Sequence, residues 1–137
     1  MGTRADFWLG RGEHAEWLGS VGYDGYFAGI PAAILYAEDA DAFVLAVARM
    51  IESRDDGTSP SDGWPWPWRN SRGTGCVYAW DDGAVRVLES GGWSDASNQG
   101  DDGEPVLTST DVSFPDMGDR RAVALGARSG LLVMRSR

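Results

Sequence analysis

The sequence predicts an α+β fold: a mostly antiparallel sheet of about five to six strands, with one main amphipathic helix and a short helix before it packed on one face. Three observations lead to this prediction. Short stretches of alternating apolar residues flank tight turns, as antiparallel strands do. One long stretch has apolar residues at helical spacing. The 137 residues suit a single domain, 1–137, with a long acidic loop at about 90–119.

The first two predicted strands form an N-terminal hairpin. Residues 5–10 alternate, which places Asp6 and Trp8 on the side opposite Phe7. Residues 11–14 form the turn, and residues 15–26 resume the pattern. Three apolar residues of this second stretch are expected on one face: Ala15, Trp17 and Val21. Gly19 and Gly22 are expected to weaken the second strand, or to mark a bulge or a close backbone approach.

The helical region follows. Pro31 suits the first turn of a short helix, and Asp39 is a good N-cap for the main one. Gly57 is expected to end the main helix. Its apolar stripe comprises Ala40, Phe43, Val44, Val47 and Ile51.

Two further hairpins are predicted. Residues 76–89 alternate around Asp82-Gly83, a strong signal for a two-residue turn. Residues 121–126 and 130–135 are expected to form the last hairpin.

The segment SDGWPWPWRN (61–70) places Trp64, Trp66 and Trp68 at every second position. Each of the first two precedes a proline, which favours extended backbone. The three indoles could bind a partner or a sugar, since tryptophan is common at binding hot spots. Alternatively, the segment folds back over the sheet and covers the core. We favour the covering role, with one indole edge left for a partner.

Charge is the clearest functional signal. The formal net charge is −9, yet between Glu89 and Asp119 there are eight acidic residues and no arginine. The rest of the chain, with thirteen acidic residues against twelve arginines, is almost neutral. This asymmetry argues against direct nucleic-acid binding, which needs cationic surface. It favours a protein partner with a basic surface.

Chemistry-bearing residues are scarce. A small enzyme is the alternative hypothesis, with His14, Tyr23 and Asp24 in a cleft at the N-terminal hairpin, helped by Glu16. One histidine and one cysteine make a zinc site improbable, and no cofactor or metal is predicted. The single Cys76 excludes a disulfide within the chain and is expected to be a small buried residue. The start of the sequence lacks an apolar stretch of signal-peptide length, so a cytoplasmic protein without membrane contact is expected.

Three segments, GTRADFWLGRG, AEWLGSVGYDGY and GWPWPW, resemble a set of short uncharacterised proteins of phages and mobile elements in GC-rich bacteria. The similarity covers most of the first 90 residues. Where such proteins usually carry WDGYP, this chain has YDGYF at 23–27. The resemblance implies an anti-defence role, for example one like that of anti-CRISPR proteins, some of which imitate the charge of DNA.

The leading hypothesis is therefore a small acidic inhibitor that occupies a basic, nucleic-acid-binding surface of a host complex. A plain accessory protein with a solubilising acidic loop is a further alternative. The residues expected to bind the partner are the tract carboxylates and several tryptophans: Asp95, Asp101, Asp102, Glu104, Asp111, Asp116, Asp119, Trp93, Trp64, Trp66 and Trp68.

Overall fold

A seven-stranded mixed sheet forms the centre of the part of the chain that the structure, a computed structural model, describes. That part comprises residues 3–89, 92–96, 107–109, 111 and 113–117. Its helices and strands are β1 (Ala5–Leu9), β2 (Glu16–Val21), α1 (Ala32–Leu35), α2 (Ala40–Glu52), β3 (Gly57–Thr58), β4 (Cys76–Asp81), β5 (Ala84–Glu89), β6 (Gly92–Asp95) and β7 (Leu107–Ser109). The α+β class predicted from the sequence is confirmed.

The strands follow the order β3-β2-β1-β4-β5-β6-β7. All neighbouring pairs of these strands are antiparallel except β1 and β4, which run parallel from the pair Ala5–Cys76 to the pair Leu9–Trp80. Strands β1 and β4 therefore end at the same edge of the sheet. The predicted hairpin at Asp82-Gly83 is confirmed, and both residues have the positive φ angles, 54° and 81°, of a tight hairpin turn.

Helix α2 packs on one face of the sheet. Asp39 caps it as predicted, since its Oδ1 accepts a hydrogen bond of 2.8 Å from the Ala42 backbone N–H. The helix buries Phe43, Val47 and two further residues against the face that carries Phe7, whereas Ala40 and Val44 of the predicted stripe are only half-buried.

Gly57 does not end helix α2, and that prediction was wrong. The helix ends at Glu52, where the Ser53 N–H bonds the carbonyls of the last turn. Gly57 instead lies in β3 and pairs with Val21 of β2.

A second core, which we call the tryptophan core, covers the opposite face of the sheet. It contains most of the tryptophans, and irregular segments rather than a helix close it. Its buried members are Trp8, Ala15, Trp17, Trp64, Trp66, Val77, Ala79, Leu88, Trp93, Phe114 and Met117.

A bulge between β1 and β2 corrects one detail of the prediction. Trp17 and Val21 were expected on one face, but the register shifts so that Trp8 faces Trp17 while Phe7 faces Gly19. The extra residue, Leu18, reverses the alternation. Trp17 therefore joins the tryptophan core, and Val21 joins the core beneath helix α2.

Parts of the acidic segment 90–119 are strands rather than loop. Strand β6 pairs with β5, and β7 pairs with β6, which extends the sheet by two strands. Trp93 and Phe114 anchor these parts in the tryptophan core. The predicted last hairpin, 121–135, lies outside the described residues. No helix among the described residues has the length and apolar character to span a bilayer.

Gly19 is the position where the bulge requires glycine. Its φ is +148°, and an added Cβ would lie 2.3 Å from Ile51 Cδ1 and 2.9 Å from the Thr58 carbonyl oxygen. We predict that Gly19→Ala lowers the free energy of unfolding by about 3 kcal/mol, through backbone strain and overpacking. Gly12→Ala is the matched control, because Gly12 also has positive φ (+88°) but has open space around it. It should cost about 1 kcal/mol. Urea unfolding measures both, and equal losses would contradict this account of the bulge.

Candidate functional site

A buried carboxylate lies at the centre of the tryptophan core. Asp6, on β1, is fully buried. Its Oδ1 accepts hydrogen bonds from Ser20 Oγ (2.7 Å) and Trp66 Nε1 (2.6 Å). Its Oδ2 accepts from Ser71 Oγ (2.5 Å) and Thr74 Oγ1 (2.6 Å). One side chain thus ties β1 to β2 and to the segment 66–74.

Three further indoles support these donors. Each hydroxyl that donates to Asp6 also accepts an indole N–H, which fixes its orientation. The pairs are Trp8 to Ser71 (2.8 Å), Trp17 to Ser20 (3.0 Å) and Trp68 to Thr74 (2.9 Å). The polar atoms of four tryptophans therefore converge, directly or through one hydroxyl, on one carboxylate.

Burial raises the pKa of the Asp6 carboxyl, and the four hydrogen bonds oppose that shift. All four donors are uncharged, so an ionised Asp6 has no cation bonded to it among the residues that the structure describes. Because Asp6 is closed to solvent, its role is structural. It holds residues 61–74, which we call the tryptophan segment, against the sheet.

The tryptophans predicted to bind a partner lie mostly in this core. Trp64 and Trp66 are 2% and 8% exposed, Trp93 is 1% exposed, and Trp68 is half-buried. Trp66 and Trp68 stack on each other with ring centroids 5.4 Å apart. Residues 61–70 cover the core, as the favoured alternative predicts. Trp64, Trp66 and Trp93 are not exposed anchors, because they are buried and donate their N–H groups to acceptors within the protein.

A cleft of about 230 Å³ lies at the edge of the sheet where β1 and β4 end. Its lining residues come from the turn after β1, the end of β4 and the acidic segment: Arg11, Gly12, Asp81, Trp93, Ser109 and Asp111.

Arg11 is the central cation of this cleft. Its Nε donates to Asp81 Oδ2 at 2.9 Å, and its guanidinium lies 5.4 Å from the centre of the Trp93 ring. Its Nη1 is buried and has no hydrogen-bond partner among the described residues. Such a buried unpaired donor lowers stability by about 1–3 kcal/mol. The contacts of Arg11 with Asp81 and Trp93 must offset that loss.

Arg86 organises the neighbouring carboxylates. It forms an ion pair with Asp95, lies 3.9 Å from the Asp82 carboxylate and donates to the Asp81 and Asp82 carbonyls. Hydrogen bonds from Ser113 hold the pKa of Asp111 below its usual range, so this exposed carboxylate remains ionised. We call Asp81, Asp82, Asp95 and Asp111 the acidic end: four carboxylates beside two arginines.

The other predicted tract carboxylates are not brought to this cleft by any described contact. Asp116 pairs with Arg69 at 2.6 Å, and the Met117 N–H donates to the Arg69 carbonyl. This contact fastens residues 114–117 onto the tryptophan segment. Asp101, Asp102, Glu104 and Asp119 lie outside the described residues.

The residues of the predicted catalytic cleft are not together. His14 lies in the turn before β2, whereas Tyr23 and Asp24 follow the far end of β2. The five steps from Glu16 to Val21 separate these groups by roughly 17 Å. Burial raises the pKa of the Cys76 thiol to about 11, which disfavours the nucleophilic thiolate. Within the described part of the chain, no three histidine, cysteine, aspartate or glutamate side chains are arranged so that they could hold a metal ion.

Comparison with family models, with curated proteins and with solved structures gives no match to this chain.

Sequence reasoning missed Asp6 and Arg11. The signal for Asp6 was a carboxylate that alternates with Trp8 inside a strand, on a face already expected to hold a large apolar side chain. Its partners Ser71 and Thr74 lie more than sixty positions away, and nothing in the intervening sequence indicates the pairing. Arg11 stood in a predicted turn, without a signal that linked it to Asp81.

Ser71 tests the hydrogen-bond network. We predict that Ser71→Ala lowers the free energy of unfolding by about 2–3 kcal/mol, because it removes a donor to Asp6 and the acceptor of Trp8. The exposed Ser61→Ala is the control and should change it by less than about 0.5 kcal/mol. Denaturant unfolding measures both. A loss at Ser71 no larger than that at Ser61 would contradict the network.

The raised pKa of Asp6 predicts a pH dependence of stability. The folded chain binds more protons at Asp6 than the unfolded chain between the usual value of 3.8 and the folded pKa. The stabilisation from protonated Asp6 is present below that range and is lost as the pH rises through the folded pKa. Unfolding free energies of the wild type and Asp6→Asn are measured from about pH 3 upward. As the pH rises through this range, the free energy of unfolding of the wild type should fall relative to that of Asp6→Asn. A rise relative to Asp6→Asn would contradict a raised pKa.

Proposed function

We propose that this protein is a binding protein whose acidic end docks on a basic, nucleic-acid-binding surface of a protein partner. The partner's arginines and lysines would pair with the carboxylates in place of phosphates. The resemblance noted in the sequence supports a more particular role, a phage-borne inhibitor of a host defence complex of the anti-CRISPR kind. Such an inhibitor meets its target in the cytoplasm.

One observation carries this proposal: the four carboxylates of the acidic end lie at one edge of the sheet, and ion pairs or hydrogen bonds hold three of them, Asp81, Asp95 and Asp111. Asp81 and Asp82 stand at a tight hairpin tip, and Arg86 and Arg11 hold Asp95 and Asp81 in place. Four carboxylates against two arginines leave the acidic end with an excess of two negative charges. Fixed charges lose little freedom on binding, which favours a specific complex over a merely solubilising loop.

The separation of His14 from Tyr23 and Asp24 weakens the enzyme alternative. The cleft itself contains carboxylates, one arginine and a serine whose hydroxyl accepts the Asp111 N–H at 3.1 Å. Neither a histidine nor a cysteine is among its lining residues. These groups suit charge recognition better than acyl transfer, which needs an activated nucleophile.

The test is capture of partners from the host lysate by the immobilised protein, with and without competing double-stranded DNA. The variant is Asp82→Asn with Asp111→Asn: Asn tolerates the positive φ of Asp82 and still accepts a hydrogen bond from Ser113 at position 111. We expect a captured nucleic-acid-binding protein that the variant retains at least about tenfold less well and that DNA displaces. Raising the salt from about 0.05 to 0.5 M should also release it.

The matched control is Glu38→Gln with Asp41→Asn, which removes two exposed carboxylates from the N-terminal end of helix α2. It should capture the partner as the wild type does. Equal losses in the two double variants would mean that net charge alone acts, as in the accessory-protein alternative. Capture that neither salt nor the acidic-end variant changes would contradict the proposal.

A further inference from the structure

A second exposed feature lies at the opposite end of the β1–β2 hairpin, far from the acidic end. It is the segment 22–26, which follows β2 and which we call the tyrosine loop. Tyr23 and Tyr26 are 47% and 46% exposed, although every tryptophan of the chain is at least half-buried. Asp24 between them has a φ of +58°. Exposed aromatic residues beside a carboxylate form a surface that the proposed function leaves unused.

The backbone of the tyrosine loop is held from beneath by one carboxylate. Asp56 Oδ2 accepts hydrogen bonds of 3.0 Å from the backbone N–H groups of both Gly22 and Tyr23. Arg54 bonds the same carboxylate through two nitrogens, at 2.6 and 2.7 Å, and donates from Nη2 to the Tyr23 carbonyl at 2.7 Å. This ion pair therefore fixes the first half of the loop.

The second half of the loop is fixed from the sheet. The Gly25 N–H donates to the Thr3 carbonyl at 2.7 Å, and the buried Tyr78 hydroxyl donates to the Gly25 carbonyl at 2.7 Å. An added Cβ at Gly25 would lie 2.6 Å from the Ala5 Cβ, so the backbone is pressed against β1. The loop thus presents its side chains from a rigid backbone, which lowers the entropic cost of binding.

Asp24 is the exposed acceptor of this surface. Among the described residues no direct hydrogen bond or ion pair involves its carboxylate, but its charge acts on Arg54, whose pKa is raised first by the hydrogen bonds to Asp56 and also by Asp24. Its positive φ lies in the left-handed region that aspartate and asparagine adopt more readily than other L residues, so the turn presents the Asp24 side chain without requiring glycine.

Tyr23 indicates which group the surface accepts. The guanidinium of Arg54 already lies 5.2 Å from the centre of the Tyr23 ring, while nearly half of that residue faces solvent. Two exposed acids, Glu52 and Asp55, flank Arg54 in the chain and add negative charge nearby. A phenol ring followed in the chain by an exposed carboxylate suits a guanidinium, which can stack on the ring and form two hydrogen bonds with the carboxylate.

We propose that the tyrosine loop binds an arginine side chain of a protein partner, with Asp24 as the acceptor and the two tyrosines as stacking surfaces. The site is independent of the acidic end, because the length of the β1–β2 hairpin separates them. It gives the protein a second, arginine-selective contact, whereas the acidic end would recognise positive charge in general.

The experiment is an NMR titration of the ¹⁵N-labelled full chain with the capped peptide acetyl-Gly-Arg-Gly-Arg-Gly-amide. A peptide with citrulline in place of both arginines, which has the same shape without charge, is the comparison. We expect saturable shifts at Tyr23, Asp24 and Tyr26 with the arginine peptide and at least tenfold weaker binding of the citrulline peptide. Equal binding of the two peptides would overturn the inference. Shifts confined to the acidic end would also overturn it while leaving the proposed function standing.

Variants locate the site. Asp24→Asn keeps a side chain that tolerates the positive φ and should weaken arginine binding at least tenfold. Tyr26→Leu should weaken it severalfold. Tyr36→Leu is the matched control, since Tyr36 is 56% exposed but follows helix α1 outside the loop. It should bind as the wild type does. An Asp24→Asn protein with an unchanged spectrum outside the loop and unchanged affinity would overturn the inference.

Discussion

The hydrogen-bonded carboxylate of Asp6 is the interaction on which the rest of the structure depends. Burying an ionised carboxyl is costly unless its oxygens are fully bonded. Here three hydroxyls and one indole N–H supply the bonds. One donor comes from β2 and the other three come from the tryptophan segment. The hydrogen bonds of the carboxylate are therefore complete only when both β2 and that segment lie against β1. Trp8, Trp17 and Trp68 are then fixed as well, because their N–H groups donate to the hydroxyls that bond Asp6. Buried polar groups of this kind favour a unique packing more than they add stability.

The inward arrangement of the tryptophans determines which side chains remain exposed on the surface. With most indoles turned inward, the exposed recognition groups are carboxylates and tyrosines. They stand at the two ends of the β1–β2 hairpin: the acidic end beside Arg11 and the tyrosine loop above the Arg54–Asp56 pair. In both places a partly buried arginine, 24% and 20% exposed, holds an acidic residue and leaves another carboxylate open. The protein thus uses arginine as internal support and presents negative charge outward, which agrees with a partner rich in basic residues.

Local patterns in the sequence predicted local structure well. The α+β class, the hairpin at Asp82-Gly83 and the Asp39 cap follow from short-range rules, and the structure confirms them. The failures were nonlocal. The bulge at Leu18 depends on register with β1, and the place of Gly57 depends on its pairing with Val21, which no local pattern in the sequence indicates. The acidic segment has the composition of a loop, because its strands are short and are stabilised by pairing of β6 with β5 and of β7 with β6. For the site, the charge asymmetry indicated Asp95 and Asp111, but long-range folding placed Asp81 and Arg11 beside them.

The central claim, that the tryptophan segment is locked inside by Asp6 and is not a binding platform, is tested most directly by hydrogen exchange of the indole N–H groups. Their NMR signals can be followed one by one after transfer to deuterated water. We predict that Trp8, Trp17 and Trp66 exchange slowly, because their N–H groups are buried and bonded to Ser71, Ser20 and Asp6. Loss of these three signals as fast as those of free tryptophan would contradict the account, since it would mean that the segment opens to solvent.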